Sequence, residues 1–283
     1  MPSVLKTHAN VSVVTSLDDP RVDQYRSVRD ADLRGRKHLC MVESEMVVRR
    51  LLDSNWKIHS LFLSPQKYER MSPYIQDKSL QVYVADISLM SDISGFHIHR
   101  GTLALAHRPS QESLSVEKMM DSLQNKTEVS LLLAEGITNV DNMGALFRNA
   151  AAFGVDAIVL DHACCDPLYR KAIRVSMGHA LTIPWAVTEH WLEELNQIKH
   201  QLDITLIGCE TGEHSTPLWE ITPPKKFGIV MGEERSGLSA STLQTCDVIA
   251  EIPMTERVPS VNVAVASAIG LYELLCRNRF DNR

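Results

Sequence analysis

Short apolar runs and longer helical patterns alternate along the second half of the chain. Val129–Ala134 is apolar except for Ser130, which is typical of a strand buried on both faces. A helical pattern at 142–153 ends at Gly154, a common residue just beyond a helix end. Further strands are predicted at 155–160, 181–187, 204–209, 227–231 and 248–254, and further helices at 190–202 and 263–277. This order predicts an α/β fold with a mostly parallel sheet and helices on both of its faces.

The first part of the chain carries a smaller α/β pattern. We expect residues 1–20 to be a loosely packed lead-in, and the mixed charges of 23–37 indicate a solvated helix or loop. Residues 42–52 have helical periodicity. Short strands are predicted at 58–64, 81–85 and 101–106, with a short helix at 87–93. We therefore predict a lead-in at 1–20, a first domain at 21–108, a polar linker at 109–125 and a second domain at 126–283.

Composition limits the class of protein without identifying it. The 283 residues are 44% hydrophobic, which is enough apolar material for a sizeable core. The formal net charge of −6 does not by itself indicate a nucleic-acid binder, although a local basic face can act alone. The six cysteines lack metal-pair spacing and are interpreted as reduced thiols of a cytoplasmic protein. The beginning of the sequence does not resemble a signal peptide, and no apolar run is long enough to span a membrane.

Several familiar sites are absent from the sequence. The glycine-containing segment 232–237 lacks the Lys-Ser/Thr ending of a phosphate-binding P-loop, and no predicted strand runs into a dinucleotide-binding glycine pattern. His97 and His99 alternate along a possible strand, but no cysteine or carboxylate set accompanies them. Packing or surface histidines are therefore favoured over a metal site.

Three polar clusters follow predicted strands, where ligands commonly bind in open α/β sheets. In the first, Asn142 opens a helix that carries Arg148, and amides at a helix start can hold an anion or a ribose. The second is the turn 232–237, with Glu234 between two glycines, and the third is the segment 260–262. Each has a simpler interpretation: a surface arginine, a turn that requires glycine, and a helix cap. Their combination indicates a ligand cleft.

Taken together, the clusters resemble the three motifs of the SpoU (TrmH-type) RNA 2′-O-ribose methyltransferases of the SPOUT superfamily. The matching segments are NMGALFRNA at 142–150, VMGEERSGL at 230–238, IPM at 252–254 and SVNVAVA at 260–266. SMGHA at 176–180 is similar to a further family segment. The resemblance covers about 128–277. It is looser in the first domain, where Ser44 replaces a common glycine, and Val261 stands where leucine is commoner.

The resemblance implies a fold and a reaction. It implies a deep trefoil knot in the C-terminal parallel sheet, preceded by a small L30e-like α/β domain that binds the RNA substrate. It implies S-adenosylmethionine as cofactor and methylation of a ribose 2′-hydroxyl in rRNA or tRNA, without a metal. The cofactor-binding residues implied are Gly208, Thr211, Gly232, Ile252, Met254 and Val261.

The resemblance also assigns catalytic roles. Arg148 would act on the 2′-hydroxyl, and since arginine stays protonated we favour stabilisation of the developing alkoxide over proton abstraction. Asn142 would orient Arg148 or the ribose, and Glu234 would brace the arginine or its loop. Ser260 and Asn262 would complete the pocket.

Family members work as homodimers with a shared substrate cleft, and the apolar helix at 263–275 could form such an interface or a core helix. Arg170, Lys171 and Arg174, together with 26–37, are candidate RNA contacts. Two alternatives remain open. One is an RNA-binding member that has lost catalysis, and the other is a knotted methyltransferase acting on a base.

Overall fold

A computed structural model describes residues 10–26, 34, 38–98, 100–212, 214–233, 235–255, 257–258 and 260–277. In these residues the strands are β1 (Val11–Val13), β2 (Leu39–Glu43), β3 (Ile58–Leu63), β4 (Gln81–Val84), β5 (Thr102–His107), β6 (Val129–Ala134), β7 (Ala157–Leu160), β8 (Trp185–Val187), β9 (Thr205–Cys209), β10 (Thr216–Pro217), β11 (Lys226–Met231) and β12 (Val248–Glu251). The α-helices are α1 (Glu45–Leu52), α2 (Pro65–Met71), α3 (Ile87–Ser94), α4 (Val116–Leu123), α5 (Val140–Phe153), α6 (Arg170–Val175), α7 (Trp191–Leu202), α8 (Ala240–Thr245) and α9 (Val263–Leu275).

The first compact unit contains the chain up to Arg108 and also Leu168–Thr182. Its sheet has the order β1-β4-β3-β5-β2, in which β5 runs antiparallel to both of its neighbours. The predicted loose lead-in is wrong for the described part of 1–20. There β1 pairs with β4, and Val14 is 2% exposed, because this short apolar stretch extends the sheet.

The mixed-charge segment after this strand is also more ordered than predicted. Pro20–Tyr25 forms a 3₁₀ helix, and the Tyr25 ring is fully buried against Phe62. The Tyr25 hydroxyl lies 2.9 Å from the carbonyl oxygen of Ser60, so burial leaves it with a polar partner. Two buried side chains, Val22 and Tyr25, thus fix a segment whose charges face outward. The described residues of 27–37 consist of position 34 alone, so most of the predicted solvated stretch lies outside the described residues.

The helix predicted from residue 42 begins later. β2 continues to Glu43, and α1 starts at Glu45. Ser44 joins them with φ 86° and ψ 145°, a backbone region that is close to glycine-only. Its side chain makes no capping hydrogen bond that would offset this strain. The glycine that is common at this position in the resembling family is explained by the same geometry.

The second compact unit contains Pro109–Pro167 and Ile183–Arg283. Its seven strands are all paired in parallel, in the order β10-β12-β9-β11-β6-β7-β8, and this confirms the predicted parallel sheet. The segment predicted as a linker contains α4. The apolar face of this helix, including Met119 and Leu123, lies in the core of the second unit. Its polar residues occupy the outer face, and their abundance is what makes the segment resemble a linker in sequence.

One part of the predicted second domain belongs to the first unit. Leu168–Thr182, between β7 and β8, packs with residues of the first sheet and α1. The Trp56 Nε1 donates to the carbonyl oxygen of Leu181 at 2.8 Å, and the Arg174 guanidinium lies 3.6 Å from the Glu43 carboxylate. The segment 176–180 singled out in the sequence is therefore held by the first unit.

The strand order places several loops at one edge of the second sheet. β12, β9, β11 and β6 are neighbours, and they run in the same direction. The segments that leave their carboxyl ends therefore emerge side by side. In the described part of the chain, no helix combines the length and apolar character needed to cross a membrane.

Replacing Ser44 by glycine should stabilise the protein by about 1 kcal/mol. The substitution removes backbone strain of ~1–3 kcal/mol. Glycine also makes the unfolded chain more flexible, and this lowers the stability by ~0.5–1 kcal/mol. Urea unfolding monitored by circular dichroism measures the change. Ser44→Ala retains the strain and should give no gain, and equal effects of the two variants would contradict the strain at this position.

Candidate active site

A cavity of about 350 Å³ lies at the carboxyl ends of β9, β11 and β12. Three separate stretches of sequence, 209–211, 231–237 and 252–266, contribute to its wall. Its described lining residues are Cys209, Glu210, Thr211, Met231, Gly232, Glu233, Arg235, Ser236, Gly237, Ile252, Met254, Ser260, Val261, Val263 and Ala266. The wall thus combines apolar side chains with backbone and a few charged groups.

The turn after β11 is closed tightly on itself. The Gly237 amide donates to the Glu233 carbonyl oxygen at 2.9 Å. A Cβ atom on Gly232 would lie 2.3 Å from the Gly237 carbonyl carbon, so only glycine fits at this position. The Glu210 carboxylate holds the turn from the neighbouring strand, because it accepts from the Leu238 amide at 2.9 Å and from the Thr211 amide at 3.1 Å. This carboxylate fixes two of the three stretches together.

The first polar cluster forms a capped helix start. The Asn139 side chain accepts hydrogen bonds from the Asp141 amide at 2.8 Å and the Asn142 amide at 3.3 Å. Asn139 therefore already satisfies these two amides, and they do not need a ligand as a partner. The α5 helix ends at Gly154, whose φ of 78° is the expected left-handed cap.

A side-chain hydrogen bond joins the first and third clusters. The Asn262 Nδ2 donates to the Asn142 Oδ1 at 3.0 Å. The Asn262 Oδ1 accepts from the Ala264 and Val265 amides, so the same residue caps α9. Asn142 is 8% exposed, so this hydrogen bond occupies a largely buried polar group.

A second contact fixes the same two helices further along α5. The Asn149 Nδ2 donates to the Ala264 carbonyl oxygen at 2.6 Å and to the Ser267 hydroxyl at 2.8 Å. α5 therefore has a set position along α9, whose residues Val263 and Ala266 line the cavity. The sequence motifs are brought together through their helices.

Arg148 lies between these anchoring residues on α5 but points elsewhere. Its side chain is exposed and is not among the described residues that line the cavity. Within the described part of the chain it has no ion pair or hydrogen bond. The guanidinium is therefore available to a group that the single chain does not supply.

The predicted cofactor residues divide into two groups. Thr211, Gly232, Ile252, Met254 and Val261 line the cavity, as does the predicted catalytic residue Ser260. Gly208 is not among the described lining residues, and it lies within β9. A Cβ atom there would meet Cys246, Ile249 and Leu238 at 3.1–3.3 Å. Glu234 falls outside the described residues.

Four described lining residues with a thiol or a charged side chain were not predicted as site residues, namely Cys209, Glu210, Glu233 and Arg235. Burial is the main cause that raises the pKa of the Cys209 thiol to about 12, so the thiol is protonated at neutral pH and is a poor nucleophile. Glu210 directly follows β9, and its place after a predicted strand was the signal that could have identified it. Arg235 belongs to a family-like segment, but a charged residue in a turn is usually solvent-facing.

A second carboxylate supports the loop edge outside the cavity. Glu135, which follows β6, accepts from the Ser239 amide at 3.0 Å and from the Thr242 hydroxyl at 2.8 Å. The Trp191 Nε1 donates to the same Thr242 hydroxyl at 2.9 Å. This network fixes the start of α8, which follows the 232–237 turn.

Comparison with known proteins agrees with this arrangement. The model of the SpoU rRNA Methylase family matches residues 130–272, which include all three clusters. This chain belongs to the SpoU rRNA Methylase family. Among curated relatives, an uncharacterized tRNA/rRNA methyltransferase of Mycobacterium tuberculosis, Rv0881, is 34% identical over 93% of this chain and 91% of its own length. The 23S rRNA (guanosine-2′-O-)-methyltransferase RlmB of Acinetobacter baylyi is 29% identical over 76% of this chain and 85% of its own length.

Solved structures share the fold over nearly the whole chain. The AdoMet-bound rRNA methyltransferase from Sinorhizobium meliloti has a TM-score of 0.79 at 23% identity and covers 93% of this chain and 97% of its own. The SpoU methyltransferase AviRb from Streptomyces viridochromogenes, solved with AdoMet, has a TM-score of 0.75 at 19% identity, with 93% and 100% covered. These proteins thus have the same α/β architecture as this chain.

The Asn142–Asn262 hydrogen bond should be measurable as a coupling energy. We expect Asn142→Ala and Asn262→Ala, alone and combined, to give a coupling of about 1 kcal/mol in urea unfolding, since a partly buried hydrogen bond contributes ~0.5–1.5 kcal/mol. Asn196→Ala combined with Asn262→Ala serves as the control pair and should be additive, because the Asn196 side chain donates within its own helix. Additivity of the Asn142 and Asn262 changes would show that the bond contributes nothing to stability.

Proposed function

We propose that this chain transfers the methyl group of S-adenosylmethionine to a ribose 2′-hydroxyl of rRNA or tRNA. The observation that carries the proposal is the Asn142–Asn262 hydrogen bond, which joins two family motifs beside a cavity lined by the second and third motifs. The relatives support the substrate class, since those named RlmB are 23S rRNA guanosine-2′-O-methyltransferases. The rRNA methyltransferase of Sinorhizobium meliloti, whose structure contains bound AdoMet, supports the cofactor.

The cavity suits a bent nucleoside cofactor. Its volume lies at the lower end of the ~300–1,000 Å³ range of small-molecule sites. Backbone around Gly232, Ile252 and Val261 would hold the adenosine, with Thr211 and Met254 at the wall. Close approach of backbone to a ligand requires small residues, as at Gly232. Bound S-adenosylmethionine supplies a methyl group on a sulfonium leaving group, so the protein mainly has to align and stabilise.

Arg148 is the proposed catalytic residue. Its guanidinium remains protonated, and its exposed position without a protein partner in the described chain leaves its donors available to RNA. A cation next to the 2′-oxygen stabilises the alkoxide that develops there, which is an electrostatic contribution. Asn142 and Asn262 hold helix α5, and so position Arg148. Ser260 and Glu234 keep their predicted roles in completing the pocket and bracing the loop.

We propose that the active protein is a homodimer with a shared cleft. Val265, Ile269 and Tyr272 form an exposed apolar stripe on α9, at 49%, 40% and 51% exposure, opposite the residues that face the cavity. An exposed stripe at this spacing is typical of a helix that packs against a partner. Since α5 lies against α9, pairing of two such stripes would place α5 of each subunit near the interface, and we propose that Arg148 then serves the cavity of the other subunit.

We infer a trefoil knot from membership of the SpoU family, and the meeting of the loops after β9, β11 and β12 with the start of α9 at one cavity is compatible with it. The mixed five-stranded sheet of the first unit supports an L30e-like substrate-binding domain. The six cysteines, all within the described residues, form no disulfide, in keeping with a cytoplasmic protein. An experimental chain trace without threading after β11 would remove the knot.

RNA contacts are proposed for the basic segment at α6. Lys171 and Arg174 are exposed, and Arg170 stacks on the Phe96 ring at 3.6 Å. Of the other predicted stretch, 26–37, only Arg26 and Arg34 are described. The α6 cations lie within the first unit, which is the proposed substrate-binding domain.

Lys171→Gln combined with Arg174→Gln should weaken RNA binding mainly at low salt. Each lost phosphate contact reduces the slope of log affinity against log salt concentration by about 0.7–0.9. Fluorescence anisotropy with labelled rRNA fragments and tRNA measures it. Lys118→Gln combined with Lys126→Gln removes the same charge from the second unit, and an equal loss in that control would remove α6 as an RNA contact.

Arg148→Ala should lower methyl transfer about 10²–10³-fold while the affinity for S-adenosylmethionine stays within about twofold, because one electrostatic donor is lost. The assay transfers a labelled methyl group to rRNA or tRNA from cells lacking the protein. After alkaline hydrolysis of the RNA, the labelled dinucleotides are measured. A 2′-O-methyl group makes a dinucleotide resistant to alkali, and a base methyl group does not. Cofactor binding without any transfer by the wild type would favour a member that has lost catalysis.

Mixing of variant subunits in the same assay tests whether Arg148 serves the cavity of its own subunit or the cavity of the partner subunit. Co-expressed Arg148→Ala and Gly232→Ala subunits, each inactive alone, should recover up to about half of wild-type activity per heterodimer if the arginine serves the partner's cavity. Without recovery, the shared cleft is contradicted. Near-normal activity of Arg148→Ala alone removes this residue from the mechanism.

A further inference from the structure

Two side chains of opposite charge line the cavity without pairing with each other. Glu233 and Arg235 lie two positions apart on the turn that the Gly237 amide closes. No ion pair joins them within the described part of the chain. Adjacent opposite charges that remain separate can each receive a ligand group of the opposite sign.

Arg235 supplies the positive charge of the described cavity wall. Among the described lining residues it is the one cationic side chain, and it is exposed, without a hydrogen-bond partner in the described chain. The second lining carboxylate, Glu210, is already occupied on both oxygens by backbone amides. Glu233 uses its Oε2 for the Ser236 hydroxyl at 2.8 Å, and this leaves its other oxygen open.

We propose that Arg235 and Glu233 form the subsite for the amino-acid end of S-adenosylmethionine. Arg235 binds its α-carboxylate, for which a guanidinium fork is suited, and Glu233 binds its α-ammonium. Ile252, Val261 and Val263 give another part of the wall an apolar character that fits the adenosine part. This inference rests on the proposed function, and it assigns the zwitterion to residues outside the predicted cofactor set.

The charge around Arg235 favours a zwitterion over an RNA phosphate. Residues 233–235 are Glu, Glu and Arg, so two negative charges and one positive charge give this turn a net charge of −1. A polyanion is repelled by such a turn, whereas an ammonium next to a carboxylate matches it. The ligand that fits is therefore the cofactor's own α-amino acid.

Calorimetry with four ligands tests the two contacts separately. The ligands are S-adenosylmethionine, S-adenosylhomocysteine, decarboxylated S-adenosylmethionine and methylthioadenosine. Arg235→Met should weaken the first two about tenfold and leave the two without a carboxylate within about twofold. Glu233→Gln should weaken the three ligands that carry an ammonium and spare methylthioadenosine. Arg235→Lys should recover part of the loss.

The controls make each outcome decisive. Arg257→Met removes an exposed cation of the following loop that is not among the described lining residues, and it should change none of the four affinities. Equal weakening of all four ligands by Arg235→Met would overturn the proposal in favour of a distorted loop. Unchanged ligand affinities with weaker RNA binding would overturn it in favour of a phosphate contact. A wild-type protein that binds none of the four would instead refute the proposed function.

Discussion

The hydrogen bond between Asn142 and Asn262 is the interaction on which the site depends. These residues are 120 positions apart in sequence, and their side chains meet at 3.0 Å. The Asn262 side chain also caps α9, so one residue both starts the last helix and attaches it to α5. Because a capping residue has little rotational freedom, the bond to Asn142 transmits the position of one helix to the other. The cavity wall at Val263 and Ala266 and the exposed Arg148 are both positioned by this pair of helices.

The described wall of the cavity combines glycines and apolar side chains with a few charged groups, and the close approach of the strand ends explains the glycines. Three strand ends must approach one another closely, and the Gly232 position leaves no room for a side chain. The Glu210 carboxylate compensates the amides that this crowding would leave unpaired. The Glu210 carboxylate therefore serves to hold the loops together, and few charged side chains of the described wall remain for a ligand. This is the expected consequence of holding a ligand by close approach instead of by many side chains.

The sequence predicted the second sheet better than the first unit for a physical reason. Val129–Ala134 is an unbroken strand, and its predicted bounds are those observed, because burial on both faces leaves no ambiguity. Tyr25 lies among charged residues, and only the tertiary fold reveals that its ring is buried against Phe62. The assignment of Leu168–Thr182 to the first unit depends on long-range contacts such as Trp56 to Leu181, which no local pattern reports. At the end of β9 the sequence alone does not distinguish neighbouring residues, because Cys209 lines the cavity whereas a Cβ atom on Gly208 would meet side chains of the core.

Asn142 and Arg148, two of the polar residues of α5, differ in their hydrogen-bond partners, and this difference separates their roles. Asn142 is buried, and its side-chain oxygen accepts a hydrogen bond from Asn262. Replacement of Asn142 would therefore disturb the contact between the two helices directly, and would affect a substrate only through them. Arg148 is exposed and has no partner in the described chain, so the described fold makes no use of it. The helix that carries it is fixed at both Asn142 and Asn149, so the backbone position of Arg148 is set although its side chain is exposed.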